Sequence, residues 1–256
     1  MTTAAPDTHS PKRTLLCAAA MLTLASASAQ TTGETDAEAW RFQLTPYVWM
    51  TGMEARIRPF PGAPTAHVGQ RFSDIFDNLD AAAFLTGTAR KGRYVFQGDA
   101  SHAAISDSAS LPLGLTTQAR VRQDSLTLTG GYNWLNDGRN SLDLLAGARW
   151  WSIKTSVQLQ PLLKTHASAS FLDPIVAMRW RHQLGPRWST LVYLDAGGLG
   201  IGSDFTWQLL GSVNYQLKDN LYVSLGYRRL SVDYRDQRKR LDFGMGGPMV
   251  GVTLRF

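Results

Sequence analysis

Residues 206–217 read Thr-Trp-Gln-Leu-Leu-Gly-Ser-Val-Asn-Tyr-Gln-Leu. Trp207, Leu209, Val213, Tyr215 and Leu217 fall on one face of an extended chain, and Thr206, Gln208, Ser212, Asn214 and Gln216 fall on the other. Successive side chains of a β-strand point to opposite sides, so this is a strand with one apolar and one polar face. The same period recurs to either side. Leu126, Leu128, Tyr132 and Trp134 alternate with Ser125, Thr127, Thr129 and Asn133; Leu142, Leu144, Ala146, Ala148 and Trp150 alternate with Asp143, Gly147 and Arg149. Val176, Met178 and Trp180 alternate with Ala177, Arg179 and Arg181, and Val250, Val252, Leu254 and Phe256 with Gly251, Thr253 and Arg255. No helical period intervenes, and the chain is expected to be all-β.

A soluble sandwich alternates too, so three further features decide for a transmembrane barrel. The polar faces carry charges in mid-strand: Asp99, Asp143, Arg149, Arg179, Arg181 and Asp195. A water-lined lumen tolerates them. Short turns mark one end of the strands, at Lys91-Gly92-Arg93, Asn136–Asn140, Gly185-Pro186-Arg187 and Lys218-Asp219-Asn220. Beside those turns, in the outward phase, stand Tyr94, Tyr132, Trp134, Trp180, Trp188, Tyr215 and Phe256, an expected aromatic girdle at a membrane interface. Dividing residues 40–256 into strands of about 9–11 residues with their connections suggests about twelve antiparallel strands, with ten as the alternative. Early candidates are 41–50, 53–60 and 66–73. Pro59, Pro61 and Pro64 weaken that region, and Phe72–Leu79 has the pattern of a short helix capped by Ser73 or a loop with one helical turn.

The composition agrees. Charged residues are 18% and apolar ones 44% of 256, and past the N-terminal leader no apolar run approaches the roughly 18 residues of a spanning helix. Lys12 and Arg13, the apolar stretch Leu15–Leu24 and Ala27-Ser28-Ala29 form a secretory signal, expected to be cut before Gln30. That assigns 1–29 to export and 30–256 to the barrel domain, in the outer membrane of a Gram-negative bacterium. The single cysteine, Cys17, lies in the signal, so the exported chain is expected to carry no disulfide, thiolate metal site or thiol nucleophile.

Several segments carry a resemblance: Leu44-Thr45-Pro46-Tyr47-Val48-Trp49, Phe72-Ser73-Asp74-Ile75 with Asn78-Leu79-Asp80, Phe171–Val176, Gly202–Gln208 and Gly226-Tyr227-Arg228. Over nearly all of the exported chain, the sequence resembles a group of bacterial outer-membrane β-barrel proteins that are largely uncharacterised. The resemblance implies fold and location and transfers no catalytic residue.

The inward charges are the main functional signal. Asp99, Asp143, Arg149, Asp173, Arg179, Arg181, Asp195 and Arg228 are expected to line the lumen. They are read either as ion pairs bracing it or as a constriction selecting small polar or anionic solutes. Glycines 147, 197, 211, 226 and 251 on or near those faces are read as leaving room. His102, His166 and His182 lack a serine and a carboxylate on one face, so no enzyme is expected. The four exported histidines also lack metal-ligand spacing. Gly197–Gly202 has no Lys-Ser/Thr after it and no helix, so it is not a phosphate loop. No cofactor is called for. With a net charge of +6 but no basic helix or stacking platform, nucleic acid is not expected. Arg235, Arg238, Lys239 and Arg240 gather in the last outward connection, facing anionic lipopolysaccharide. The expected partners are outer-membrane lipids, lipopolysaccharide and, during biogenesis, the barrel-assembly machinery. The resulting expectation is a small porin-like channel, with a closed structural or surface-interaction barrel as the alternative and a lipid- or peptide-modifying enzyme third.

Overall fold

The alternation becomes twelve strands in the structure, a computed structural model that describes residues 39–58, 66–70, 73, 79–110, 116–160, 163–236 and 239–256. They are β1 (Arg41–Trp49), β2 (Gly52–Arg58), β3 (Ala66–Gln70), β4 (Leu79–Lys91), β5 (Tyr94–Ser110) and β6 (Thr116–Asn136). β7 (Asn140–Gln160), β8 (Leu163–Gln183), β9 (Trp188–Gly198), β10 (Phe205–Lys218), β11 (Leu221–Asp236) and β12 (Lys239–Arg255) follow. The proposed signal segment 1–29 lies outside the described residues. Of 72–79, only helical Ser73 and Leu79, the first residue of β4, lie within them.

Ten of the strands close a ring in the order β1, then β4 to β12, with β12 returning to β1. β1 joins the two ends of the sheet: Gln43 stands opposite Arg255 on one side, and Arg41 opposite Arg90 on the other. Closure gives each of these ten strands a neighbour on both sides, as a lipid surrounding demands, while among the described residues β3 pairs with β2 alone. The expected twelve-strand ring is therefore corrected to its ten-strand alternative, although twelve strands are present. The segments 41–50 and 53–60, expected as two separate crossings, do not form them. Instead β2 continues β1 along the same partner: Trp49 faces Met249, the Met50 N–H donates to the Pro248 carbonyl at 2.9 Å, and Gly52 faces Gly246. Met50-Thr51 is a kink without reversal. β3 then folds back on β2, with Met53 opposite Gln70.

The short turns are where the sequence places them. In one, the Asp137 carboxylate accepts the Arg139 and Asn140 backbone N–H groups at 2.9 and 2.5 Å and the Asn140 amide at 2.9 Å. Those bonds, the Asn140 side chain's first, hold its carboxyl below the ordinary range. Outside the barrel, Leu128, Leu144, Leu172, Val176, Leu225 and Val252 form an exposed apolar belt. Tyr94, Tyr132, Trp134, Trp180, Trp188 and Phe256 are exposed on that face beside the turns, and Tyr215 packs on Trp188 with ring centroids 4.7 Å apart. β6, β7 and β8 each run 21 residues. At about 3.4 Å per residue that is roughly 70 Å of strand, far more than a tilted crossing needs, so the wall rises well past the belt at the end opposite the short turns.

Candidate functional site

The inward faces repeat one programme from the short-turn end upward. β7 presents Asp143, Arg149 and Trp151; β11 presents Tyr222, Arg228, Leu230 and Val232; β12 presents Arg255, Thr253, Met249, Met245 and Phe243; β1 presents Arg41, Gln43, Thr45, Tyr47 and Trp49. Charges stand at the bottom, small polar groups above them, an ion-paired layer at mid-height and aromatic or aliphatic side chains on top.

The mid-height layer spans the lumen. Arg228 on β11 donates to Gln208 Oε1 from Nε (3.0 Å) and Nη2 (2.6 Å), to Asp99 Oδ1 from Nη2 (3.0 Å), and to the Tyr47 hydroxyl. That hydroxyl in turn donates to Asp99 Oδ2 at 2.9 Å. The guanidinium also lies 4.8 Å from the Trp49 ring centroid, a cation–π contact. One arginine thereby ties β1, β5, β10 and β11 together. Beside it Arg149 on β7 pairs with Asp195 on β9 and donates from Nε to Thr127 Oγ1 at 2.9 Å. Arg149, Asp195 and Arg228 are buried, so each charge depends on its partner for the solvation it has lost.

Above this layer the lumen is apolar. Trp49, Trp151, Phe171, Leu230, Val232, Phe243, Met245 and Met249 are all buried in one cluster. β7 and β12 stand opposite each other in the ring, yet Trp151 and Phe243 meet edge-to-face with centroids 5.9 Å apart. Phe171 on β8 stacks on Tyr234 of β11 at 4.8 Å. Side chains thus meet across the lumen and fill it, as the small girth of a ten-strand barrel permits.

Below the layer the lumen is hollow. A cavity of about 100 Å³ lies among Thr45, Thr86, Gln97, Asn214, Ser224 and Thr253. It leads into a wider vestibule of about 420 Å³ at the short turns. Asp143 is buried behind two of the vestibule's arginines, held by both terminal nitrogens of Arg90, by Asn133 Nδ2 at 2.7 Å and, at 3.7 Å, by Arg179.

Of the expected lumen residues, Asp143, Arg149, Asp173, Asp195 and Arg228 are buried, and Asp99, Arg179 and Arg181 border the hollow lumen. Their pairing differs from expectation. Asp99 meets Arg228, Asp195 meets Arg149, and Asp143 has Arg90 closer than Arg179. Asp173, expected to face an arginine, instead accepts the Ser203 N–H at 2.6 Å and pins the β9–β10 loop into the barrel mouth. Gly202 permits this, since a Cβ there would lie 2.6 Å from Asp173 Oδ1. The reading of these glycines as open space is corrected at Gly147, Gly197 and Gly226, where a Cβ would run into a backbone carbonyl of an adjoining strand, so the glycine serves close strand approach; at Gly211 nothing would lie within 4 Å. Arg235 is engaged by Asp204 at 3.0 Å and Asp233 at 3.1 Å; Lys239 and Arg240 open β12, and Arg238 lies outside the described residues.

His102 faces outward and pairs with Asp124 at 2.6 Å, while Ser152 is the next cross-strand neighbour of Asp124. The carboxylate therefore stands between histidine and serine, which is not the order of a serine–histidine–acid relay. His182 bonds Asn140 at 2.8 Å. Sequence reasoning placed Gln208 on the polar face without a role there, and missed Tyr47, Arg90 and the apolar plug. The inward phase Thr86-Thr88-Arg90 carries the signal for Arg90, masked by its position against the Lys91-Gly92 turn.

With Cys17 the only cysteine, single-cysteine probes test these faces. Leu209→Cys and Val213→Cys are expected to react only with a lipid-soluble thiol reagent, Asn214→Cys and Thr253→Cys with a charged one, and Val232→Cys, inside the plug, with neither. Labelling of Val232→Cys by the charged reagent would mean the upper lumen is open.

No protein-family model matches the chain, and no curated protein matches it. Among solved structures it is similar to the outer membrane protease OmpT from Escherichia coli, at a TM-score of 0.58 and 10% identity over 88% of this chain and 99% of that one. The translocator domain of the autotransporter NalP from Neisseria meningitidis aligns at 0.46, with 10% identity over 88% of this chain and 90% of that one. Neisserial surface protein A aligns at 0.35, with 12% identity over 84% and 97%. The likeness to OmpT is one of fold: this chain has an outer-membrane β-barrel fold.

Proposed function

We propose that the protein is a resident of the bacterial outer membrane, exported by its N-terminal segment, with the short turns in the periplasm and the tall strand ends outside, and that it works as a closed binding barrel. The observation that carries this reading is the contact of Trp151 with Phe243 across the lumen, directly above the Arg228–Asp99 layer. A solute passing through would have to displace both a packed apolar cluster and buried ion pairs. The basic connection from Arg235 onward suits contact with lipopolysaccharide or a surface partner. Insertion would rely on the barrel-assembly machinery.

The test is current recording from purified protein in planar bilayers, with insertion verified by heat-modifiable mobility. Folded, inserted protein is expected to be electrically silent, and sustained unitary conductance would overturn the closed reading. A narrow anion pathway is the second reading, favoured by the hollow lower lumen lined by Arg179 and Arg181. It requires conductance that Arg179→Gln with Arg181→Gln shifts toward cations.

A further inference from the structure

We propose that the periplasmic vestibule is a binding site for a small, multiply charged anion of the phosphate class. Five arginines from four strands converge there: Arg41 on β1, Arg90 on β4, Arg179 and Arg181 on β8, and Arg255 on β12. One buried carboxylate, Asp143, faces them, and Arg90 already grips it with both terminal nitrogens. Among the described residues no carboxylate forms an ion pair with Arg41, Arg181 or Arg255, although Asp219 and Phe256 stand at the rim. Arg255 is nonetheless held in place, donating from Nη1 to the Tyr222 hydroxyl at 2.8 Å with its guanidinium 3.9 Å from that ring centroid.

Like charges gathered at the mouth of a low-dielectric lumen repel one another, and each has lost part of its hydration. A ligand bearing two or more negative charges removes both costs. Arginine forks match the oxygens of a phosphate with paired N–H donors, which a lysine cluster would not do. The vestibule narrows into a cavity with Ser224, Asn214 and Thr253 on its wall and Tyr47 and Asp99 at its end, so the ligand is small and is held instead of passed. That last step rests on the closed reading above; the presence of the site does not.

The source is either a soluble phosphate compound of the periplasm or a lipid phosphate headgroup reaching around the rim. Both are tested by titration calorimetry on the folded full chain in zwitterionic micelles, in low-salt buffer free of phosphate. Inorganic pyrophosphate probes the first source and short-chain phosphatidic acid the second. Saturable binding of either is expected, weakened about tenfold by Arg181→Gln and by Arg255→Gln, less by Arg181→Lys, and unchanged by Arg93→Gln in the β4–β5 turn. Binding of the lipid alone assigns the site to a headgroup. Absence of binding by both probes, or binding that the vestibule variants leave intact, overturns the proposal. Heat-modifiable mobility confirms that each variant is folded, and Arg181→Lys, which keeps the charge, serves where Gln does not fold. Conductance separates the two readings: binding with conductance keeps the site and removes the dead end, and silence without binding removes the site alone.

Discussion

Replacing Arg149 with methionine is expected to destabilise the barrel by about 3–5 kcal/mol, because it strands the Asp195 carboxylate in a buried layer. Thr127 loses its charged donor in the same step. Removing both charges is the more informative experiment. Arg149→Met with Asp195→Leu is expected to recover most of that loss, since a well-packed apolar pair is often as stable as the ion pair it replaces. Urea unfolding of the refolded barrel measures both, and the difference between double and single variants isolates the coupling. An Arg149→Met barrel as stable as wild type, or a double variant no better than the single one, would refute the pairing. Arg181→Gln provides the contrast: with no carboxylate partner to strand, it is expected to change stability little.

The second large effect belongs to the plug. Trp151→Ala and Phe243→Ala are each expected to cost about 3–5 kcal/mol, from lost burial plus the cavity left in a packed cluster. The rings meet edge-to-face, a geometry worth roughly 0.5–1.5 kcal/mol beyond burial, so the double variant is expected to lose less than the two singles combined. Strict additivity in the same unfolding assay would mean that the two side chains do not meet across the lumen. Trp151→Ala alone is expected to leave bilayers silent, because the Arg228–Asp99–Tyr47 layer lies beneath it.

The inward and outward phases, the strand positions and the side of the short turns are legible from residues alone. The strand backbone sends neighbouring side chains to opposite faces whatever it pairs with, so Asp143, Arg149 and Arg228 can be assigned to the interior from their neighbours. That logic is blind where both phases are apolar. Trp150-Trp151 and Phe171-Leu172 put a large apolar side chain on each face, and the inward one looks like more of the membrane belt. Trp151 and Phe171 of the plug are such residues.

Ring closure and charge pairing belong to another level. β1 meets β12 about 200 residues further along the chain, and whether β2 reverses or continues β1 is set by the register of that distant partner. Arg228 reaches Asp99 from across the lumen, and Arg90 takes the carboxylate whose cross-strand neighbour is Arg179. Alternation is a local property of one backbone and can be read one strand at a time. Which side chains meet depends on the girth and stagger of the closed barrel, which exist only once the first strand has found the last.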